Sequence, residues 1–356
     1  MSEISRSAST GVSFIVCTYN GAARLPAVLS HIARQILPPN VVFELVVVDN
    51  ASTDGTAAVV RNHWHSLGAP ARLTLVNEPE PGLIYARKAG LQAARFEVCS
   101  FIDDDNWICQ DWCGRVAAAL GTNQRLAAIG GRGVAYFEET EAPEWFERYQ
   151  TAYAVGPQTE HSRGRRALSR LYGAGLTIRK SALDELTARG FLPMCAGRVG
   201  TKLSAGDDTE LCYALALAGW DLACDSNLVF QHVIPAKRLS ENYLVEMFKG
   251  FGASSAVLDL YGWIAFRRRR NPVELAISFR IIGLSTSLAK LLYWRVRVVL
   301  TRPLDASKQL EARVRIAYFA YRFHALHGSW RAACRQAKEL SKVFFFESSL
   351  PRTVSY

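Results

Sequence analysis

This 356-residue chain has no Cys-x-x-Cys pair, and Cys109 and Cys113 stand without a second ligand pair nearby. That spacing argues against structural zinc, whose ligands come in close pairs. The eight cysteines fall mostly in apolar runs and read as buried, reduced thiols of a reducing compartment. Met1 to Thr10 is polar and small and lacks an apolar core, so no secretory signal is expected. No apolar run approaches the ~20 residues that a bilayer crossing takes. In the most apolar part of the chain the longest uncharged stretch is Ile281 to Ala289. There is no internal repeat, and no low-complexity tract beyond Arg267 to Arg270.

What is present is a globular composition, 49% hydrophobic and 21% charged. The formal charge of +10 is unevenly placed. Glu241 to Tyr356 holds 19 Lys and Arg against 8 Asp and Glu, while the preceding 240 residues hold 23 against 24. The basic C-terminal third therefore expects an anionic partner. Three segments follow: a flexible stretch 1–10, a catalytic domain 11–240, and a helical basic region 241–356.

Val12 to Cys17 is a short β-rich apolar run that ends at the turn Thr18-Tyr19-Asn20-Gly21. Pro26, with Leu25, Val28, Leu29 and Ile32 at helical spacing, opens a helix. Phe43 to Val48 is the next strand, ending at Asp49-Asn50, and Ser52-x-Asp54-Gly55-Thr56 leads into a second helix. Leu73 to Val76, Leu83 to Ala94, and Val98 to Ile102 continue the alternation, which stops at Asp103-Asp104-Asp105. Strands that are continuous apolar runs, alternating with helices, indicate an α/β fold with a mostly parallel central sheet covered on both faces. Ligands of such sheets bind beyond the carboxyl ends of the strands. Thr18-Tyr19-Asn20, Asp49-Asn50 and Asp103 to Asp105 should meet there. Glu138 to Trp145 reads as a surface loop, Leu176 to Ile178 as a strand, and Asp207 to Leu217 as a helix.

Three successive aspartates at a strand end either cap a turn or bind a divalent cation. A Mg²⁺ or Mn²⁺ ion held by carboxylates and a substrate diphosphate would neutralise charge on a departing phosphate oxygen. The second acidic cluster, Asp207-Asp208-Thr209-Glu210, favours a helix N-terminus and could also supply a general base. The Ser-Ala-Gly approach to it suits the second half of one active site.

The ordered motifs FIVCTYNG, ELVVVDNASTDGT, EPGLIYARKAG, FIDDDN, GAGLTIRKSAL and GDDTELCYALALAGW carry a resemblance. Over about Val12 to Ile234 the chain resembles glycosyltransferase family 2, with the nucleotide-diphospho-sugar transferase (GT-A) fold. The resemblance implies a sugar transferred from a nucleoside-diphosphate donor to an acceptor hydroxyl. It implies that Thr18, Tyr19, Asn20, Asp49, Asn50, Arg87, Asp103, Asp104 and Arg198 face the donor. Asp103 and Asp105 are the ends of its DxD motif, Asp105 being the more direct metal ligand, with His232 as a further ligand or a buried hydrogen-bonded histidine. Asp208 is implied as the catalytic base of an inverting reaction. Asp207 stands where the family has Glu, and Lys88 where it often has Asn. Trp145, Gly173 and Asp207 are candidates for the acceptor side. Arg198 and Lys202, flanking Gly197 and Gly200, suggest a loop that closes over the diphosphate.

Pro272 to Leu300 is apolar but cut by Arg280, Lys290, Arg295 and Arg297. It either packs as a helical subdomain or lies in a membrane interface, and the Arg267 to Arg270 run favours an anionic surface. The expected location is cytoplasmic, peripheral on the inner face of the plasma membrane, with a saccharide or lipid-linked acceptor. No nucleic-acid module is present, and no nucleic-acid partner is expected. The rival readings are a non-catalytic nucleotide-sugar binder and a nucleotidyltransferase. The second would want a glycine-rich basic loop after the first strand, which CTYNGAARL is not. The processive synthases' Gln-x-x-Arg-Trp motif is absent, which favours addition of a single sugar.

Overall fold

The computed structural model describes residues 10–138, 140–158, 170–195, 197–198, 203–266, 272–300 and 305–328, with 335, 338–340 and 342–344. Residues 1–9, Gly200, Lys202 and Arg267 to Arg270 lie outside them. The first hundred residues alternate as expected: β1 (Thr10–Thr18), α1 (Leu25–Ala33), β2 (Val41–Asn50), α2 (Thr56–Ser66), β3 (Arg72–Glu78), α3 (Leu83–Ala93) and β4 (Val98–Asp103). Then come β5 (Asn106–Ile108), α4 (Trp112–Thr122), β6 (Leu126–Phe137), the short α5 (Phe146–Tyr149), β7 (Thr177–Arg179) and α6 (Lys180–Ala188). After these follow α7 (Asp207–Ala218) and β8 (Asp221–Ile234), and then three long helices, α8 (Glu241–Phe266), α9 (Pro272–Leu300) and α10 (Ala306–His327).

The strands form one eight-stranded sheet in the order β3-β2-β1-β4-β7-β6-β8-β5. β3, β2, β1 and β4 run parallel, and β6 with β8 also; β7 and β5 are antiparallel to their neighbours. The period-two geometry of a strand sends alternate side chains to opposite faces. Val12, Phe14, Val16, Leu45 and Val47 therefore join one core, under α1, α2 and α4. Ile15, Val46 and Val48 join the other, under α3, α6 and α7. Because both faces are buried, β1, β2 and β4 are mainly apolar, and the buried Ser13 hydroxyl donates to Glu44 Oε1 at 2.7 Å.

The chain reverses direction across the sheet between β1 and β4. From β1 it winds outward through β2 to β3, then returns past β1 to β4. A crevice at the carboxyl ends of β1 and β4 is where such a fold binds ligands. The register places the polar ends there: Thr18 lies opposite Asp49, and Cys17 opposite Asp103.

The C-terminal helices are built onto this core. Leu260, Tyr261 and Ile264 of α8 belong to the same cluster as Ile15 and Val46. α9 turns Phe279, Ser287 and Leu291 inward, and Arg322 of α10 donates to Ser287 Oγ at 3.2 Å. Its other side is apolar and exposed, with Ile281 at 60% and Val299 at 70% of full exposure. Among the described residues no helix is long and apolar enough to cross a membrane. The described cysteines are free thiols, and burial pushes those of Cys17, Cys99, Cys113 and Cys212 up to about 12.

Candidate active site

The turn after β1 is stitched to the turn after β2. Asn20, at φ 49°, accepts the Thr53 amide on Oδ1 at 2.8 Å, and its own amide donates to Ser52 Oγ at 2.9 Å. Asp49 Oδ1 accepts the Ser52 amide at 3.2 Å. The Asn50 side chain is spent on the segment after β3: Nδ2 donates to the Glu78 and Glu80 carbonyls, and Oδ1 accepts the Gly82 amide at 2.9 Å. Tyr19 stands outward with its ring 51% exposed. These contacts fix a rigid rim at the β1–β2 end of the crevice and leave the Tyr19 ring facing solvent.

The three aspartates after β4 diverge, which resolves their mutual repulsion. Asp104 turns toward β1, accepting from Thr18 Oγ1 at 2.5 Å and from Arg24 Nη2 at 2.6 Å. Asp105 turns toward β8, where Arg238 Nη1 donates to its Oδ2 at 2.7 Å and His232 Nε2 lies 3.6 Å from its Oδ1. Burial would raise the Asp105 carboxyl, but His232 and Arg238 outweigh it and hold the group well below the usual carboxylate range. Asp103 has no such partner within ion-pair distance among the described residues. Burial and the neighbouring Asp105 charge push it up to about 6, with Arg87 and His232 opposing.

His232 is oriented by the backbone. Its Nδ1 donates to the Tyr153 carbonyl at 2.6 Å, which turns Nε2 toward Asp105. A backbone carbonyl on the far nitrogen is the arrangement that orients metal-binding histidines. Trp145 is half-buried and packs on Phe146, Tyr149 and Tyr153, so it meets this centre through the residue that holds His232. Among the described residues no three His, Cys, Asp or Glu side chains converge closely enough to hold a cation unaided. Asp103, Asp105 and His232 carry oxygen and imidazole donors of the kinds that Mg²⁺ or Mn²⁺ accepts, and a cation there would need further ligands from a diphosphate or water.

The second acidic cluster meets the first at Arg87. This α3 side chain donates from Nη1 to Asp207 Oδ2 at 2.5 Å and lies 5.3 Å from the Phe101 ring centre. Burial works against its charge, yet Asp207, Asp103 and Asp208 together raise its pKa. Acids a hundred residues apart thus act on one guanidinium, which pairs directly with Asp207. α7 opens at Gly206, whose φ of 101° suits glycine. Asp208 Oδ2 accepts the Gly173 amide at 2.7 Å and Oδ1 the Thr209 amide at 2.6 Å. Burial, then the Asp207 charge, raises the Asp208 carboxyl above its ordinary value, with Arg87 opposing. Gly173 fits closely here, because a Cβ would stand 2.8 Å from Arg87 Nη2 and 3.3 Å from Asp208 Oδ2.

Glu210, the third acid of α7, has another job. Its buried carboxylate accepts the Met194 amide at 2.9 Å, the Cys195 amide at 2.7 Å and the Tyr261 hydroxyl at 2.6 Å. It ties α7, the preceding loop and α8 together. That loop passes the site: a Cβ on Gly197 would lie 3.1 Å from the Asp207 carboxyl, and the Arg198 carbonyl accepts the Leu83 amide at 3.0 Å. The Arg198 side chain is exposed beside the start of α3. Motif reading leaves Arg24, Arg238 and Tyr153 out of the site. Arg24 sits in an unremarkable helix start, Arg238 lies beyond the last strand, and Tyr153 acts through its carbonyl, which carries no side-chain signal.

Residues 13–187 match the family described as Glycosyl transferase family 2, a region that includes Asp103 to Asp105 and ends before Asp207. The poly(ribitol-phosphate) β-N-acetylglucosaminyltransferase TarS of Staphylococcus aureus is 32% identical over 140 residues, 37% of this chain and 24% of that protein. A PGL/p-HBAD biosynthesis glycosyltransferase of Mycobacterium bovis is 36% identical over 120 residues, 33% of this chain and 45% of that protein. The matches thus span from about a quarter to under half the length of these relatives. Among solved structures, the mannosyltransferase PcManGT of Pyrobaculum calidifontis, in complex with GDP-Man and Mn²⁺, superposes with a TM-score of 0.54. That likeness is 21% identical and covers 87% of this chain and 86% of the other, which establishes the shared GT-A fold.

Proposed function

Since residues 13–187 belong to glycosyl transferase family 2, we propose that this protein is a glycosyltransferase. It moves a single sugar from a nucleoside-diphosphate donor to an acceptor hydroxyl, with inversion at the anomeric carbon. The observation that carries this reading is the meeting of the two acidic clusters across Arg87, with Asp207 at 2.5 Å. The donor lies over the β1–β4 end of the sheet, between the Tyr19–Asn20 and Asp49 rim and the aspartates of β4. Asp103, Asp105 and His232 would hold Mg²⁺ or Mn²⁺, which would supply positive charge to offset that of the leaving diphosphate.

Asp208 is the general base. Its raised pKa makes it a better proton acceptor than an ordinary carboxylate, and the Gly173 and Thr209 amides fix its orientation. It takes the acceptor hydroxyl proton as that oxygen attacks the anomeric carbon. The bond to the diphosphate oxygen breaks, and the electron pair leaves with the nucleoside diphosphate. The acceptor therefore approaches from the Gly173 and Asp207 side. Glu210 is not available as the base, because its carboxylate already accepts from three donors.

The C-terminal region attaches this enzyme to an anionic membrane surface, where lipid-linked or cell-surface saccharide acceptors are found. On α9, Ile277, Ile281, Leu288, Leu292 and Val299 are exposed, and at 100° per residue they fall within about 60° of arc. Arg295 is exposed within the same arc, and its stem can lie along an interface while its charge reaches phosphate.

A panel of UDP- and GDP-sugars, scored for Mn²⁺-dependent hydrolysis or transfer, identifies the donor. With that donor, Asp208→Asn should retain nucleotide binding and lose turnover by about 10²- to 10⁴-fold. Near-normal turnover in the variant would overturn the assignment of the base.

A further inference from the structure

Asn106 opens β5 and is fully buried. The antiparallel register sets it directly opposite His232 on β8, and the Asp105 carbonyl just before it accepts the Val233 amide at 2.9 Å. An asparagine beside a turn commonly bonds nearby backbone through its side chain. Among the described residues this one does not. Its Nδ2 donates to Asp105 Oδ1 at 2.8 Å, and its own Oδ1 is buried without a partner.

A buried acceptor left unpaired costs the folded state its desolvation, and a leucine of nearly the same size would avoid that cost. Packing alone therefore does not account for an amide here. Its orientation is not free either. The oxygen and nitrogen ends have the same shape, but only the N–H₂ end is compatible with an anionic carboxylate. Asp105 decides which way the amide turns, and the amide in turn holds Asp105.

The Asp105 carboxylate thus has a donor on each oxygen. Arg238 Nη1 holds Oδ2 at 2.7 Å, and Asn106 Nδ2 holds Oδ1. The two donors differ in charge. The Arg238 guanidinium is repelled by a divalent cation brought to the carboxylate, whereas the amide carries no net charge to oppose it. The Asn106 bond is the one that can remain in the loaded site. Hydrogen-bond partners behind a metal ligand fix its rotamer and its affinity for the metal, for carboxylates as for histidines.

We infer that Asn106 is a positioning residue, holding the Asp105 carboxylate in the orientation that receives the divalent cation of the donor complex. The inference rests on Asp105 being a ligand of that cation. It gives Asn106 a role in cation affinity that acts only through Asp105.

The test is titration of Mn²⁺ into the full-length chain with UDP or GDP present, free Mn²⁺ being read by electron paramagnetic resonance. No turnover is needed. Parent chain, Asn106→Leu and Asp105→Asn are compared. Asn106→Leu should weaken Mn²⁺ binding by about 10- to 100-fold while its far-ultraviolet circular dichroism stays that of the parent. Should that variant not fold, Asn106→Ser, whose shorter side chain draws the donor away from Asp105, carries the same expectation. Parent-like Mn²⁺ affinity in a folded Asn106 variant, with Asp105→Asn weakened, would overturn this inference alone. A lower urea midpoint with unchanged Mn²⁺ affinity would do the same, because Asn106 would then serve only the fold. Parent-like affinity in Asp105→Asn would overturn the metal assignment of Asp105, and this inference with it.

Discussion

Tyr261→Phe keeps the buried ring and removes only the hydroxyl that donates to Glu210 at 2.6 Å. Glu210 is fully buried and its other donors are the Met194 and Cys195 amides. Hydrogen bonds to charged groups contribute about 1.5–3 kcal/mol, so the variant should lose that much unfolding free energy at neutral pH. The loss should depend on pH. Burial raises the Glu210 carboxyl above its ordinary 4.5, while Tyr261 and the two amides pull it back. A folded-state pKa above the unfolded one means that the native state binds the proton more tightly. This group's contribution to stability is then greatest in acid and declines as pH rises through the folded value. Removing the hydroxyl raises the folded value further. The deficit of the variant should therefore be small, ~1 kcal/mol or less, where Glu210 is protonated in both chains. It should reach its full size where the carboxylate is ionised. Urea unfolding of both chains at about pH 4.5 and about pH 7.5 measures the difference. Equal deficits at the two pH values, or a neutral-pH deficit under ~0.5 kcal/mol, would refute the argument that Tyr261 stabilises a buried carboxylate.

Asp105→Asn should abolish Mn²⁺-dependent strengthening of UDP or GDP binding while leaving the far-ultraviolet circular dichroism unchanged; titration with and without metal reads this directly. Gly173→Ala places a methyl against Arg87 and Asp208 and should lower kcat by ten-fold or more with nucleotide affinity kept, which steady-state kinetics can check; unchanged kcat would mean the Asp208 contact is dispensable. On liposomes, the parent chain should co-sediment only with anionic lipid and release as salt rises, and Ile281→Glu with Leu288→Glu should stay in the supernatant. Parent chain that remains soluble with anionic vesicles at low salt, or that forms dimers which these substitutions dissolve, would assign the α9 face to protein packing instead.

The first half of the fold is legible in the sequence because two-sided burial writes each parallel strand as an apolar run ending at a polar turn. The second half is legible only in part: Leu176 to Ile178, Asp207 to Leu217 and the helical region after Tyr243 are found as expected, but β6 is not. Its Leu-Ala-Ala-Ile-Gly-Gly-Arg-Gly sequence loses the apolar pattern after Ile129, yet twelve residues from Leu126 to Phe137 are extended. A Cβ on Gly131 would stand 2.1 Å from the Leu228 carbonyl, and one on Gly133 would stand 1.9 Å from that of Ala154. Close backbone approach demands glycine there, and glycine hides the strand. The acids of the site are equally legible, since carboxylates at strand and helix ends carry their own chemistry. Their partners are not, because Arg24 and Arg238 arrive from segments without a motif, and Tyr153 contributes only its carbonyl.

Those partners decide which carboxylates are held as anions. Five aspartates stand in the two clusters. Asp104 is paired with Arg24, Asp105 with Arg238, and Asp207 with Arg87, each by an ion pair of 2.5 to 2.7 Å. Asp103 and Asp208 have no such bond among the described residues, and both have raised pKa values, with burial the largest cause. Enzymes commonly assign roles by driving neighbouring titratable groups apart in this way. The paired acids are held as anions, Asp105 among them as a ligand of the proposed cation, while the two left over are high in energy as charges. One can be stabilised by a cation arriving with the donor diphosphate, and the other by the proton of an acceptor hydroxyl. Arg87 opposes the rise of both, favouring their charged forms. In the proposed function, donor and acceptor would each relieve a different buried charge in the field of one guanidinium, and Arg87 is the physical link between the β4 aspartates and the α7 aspartates.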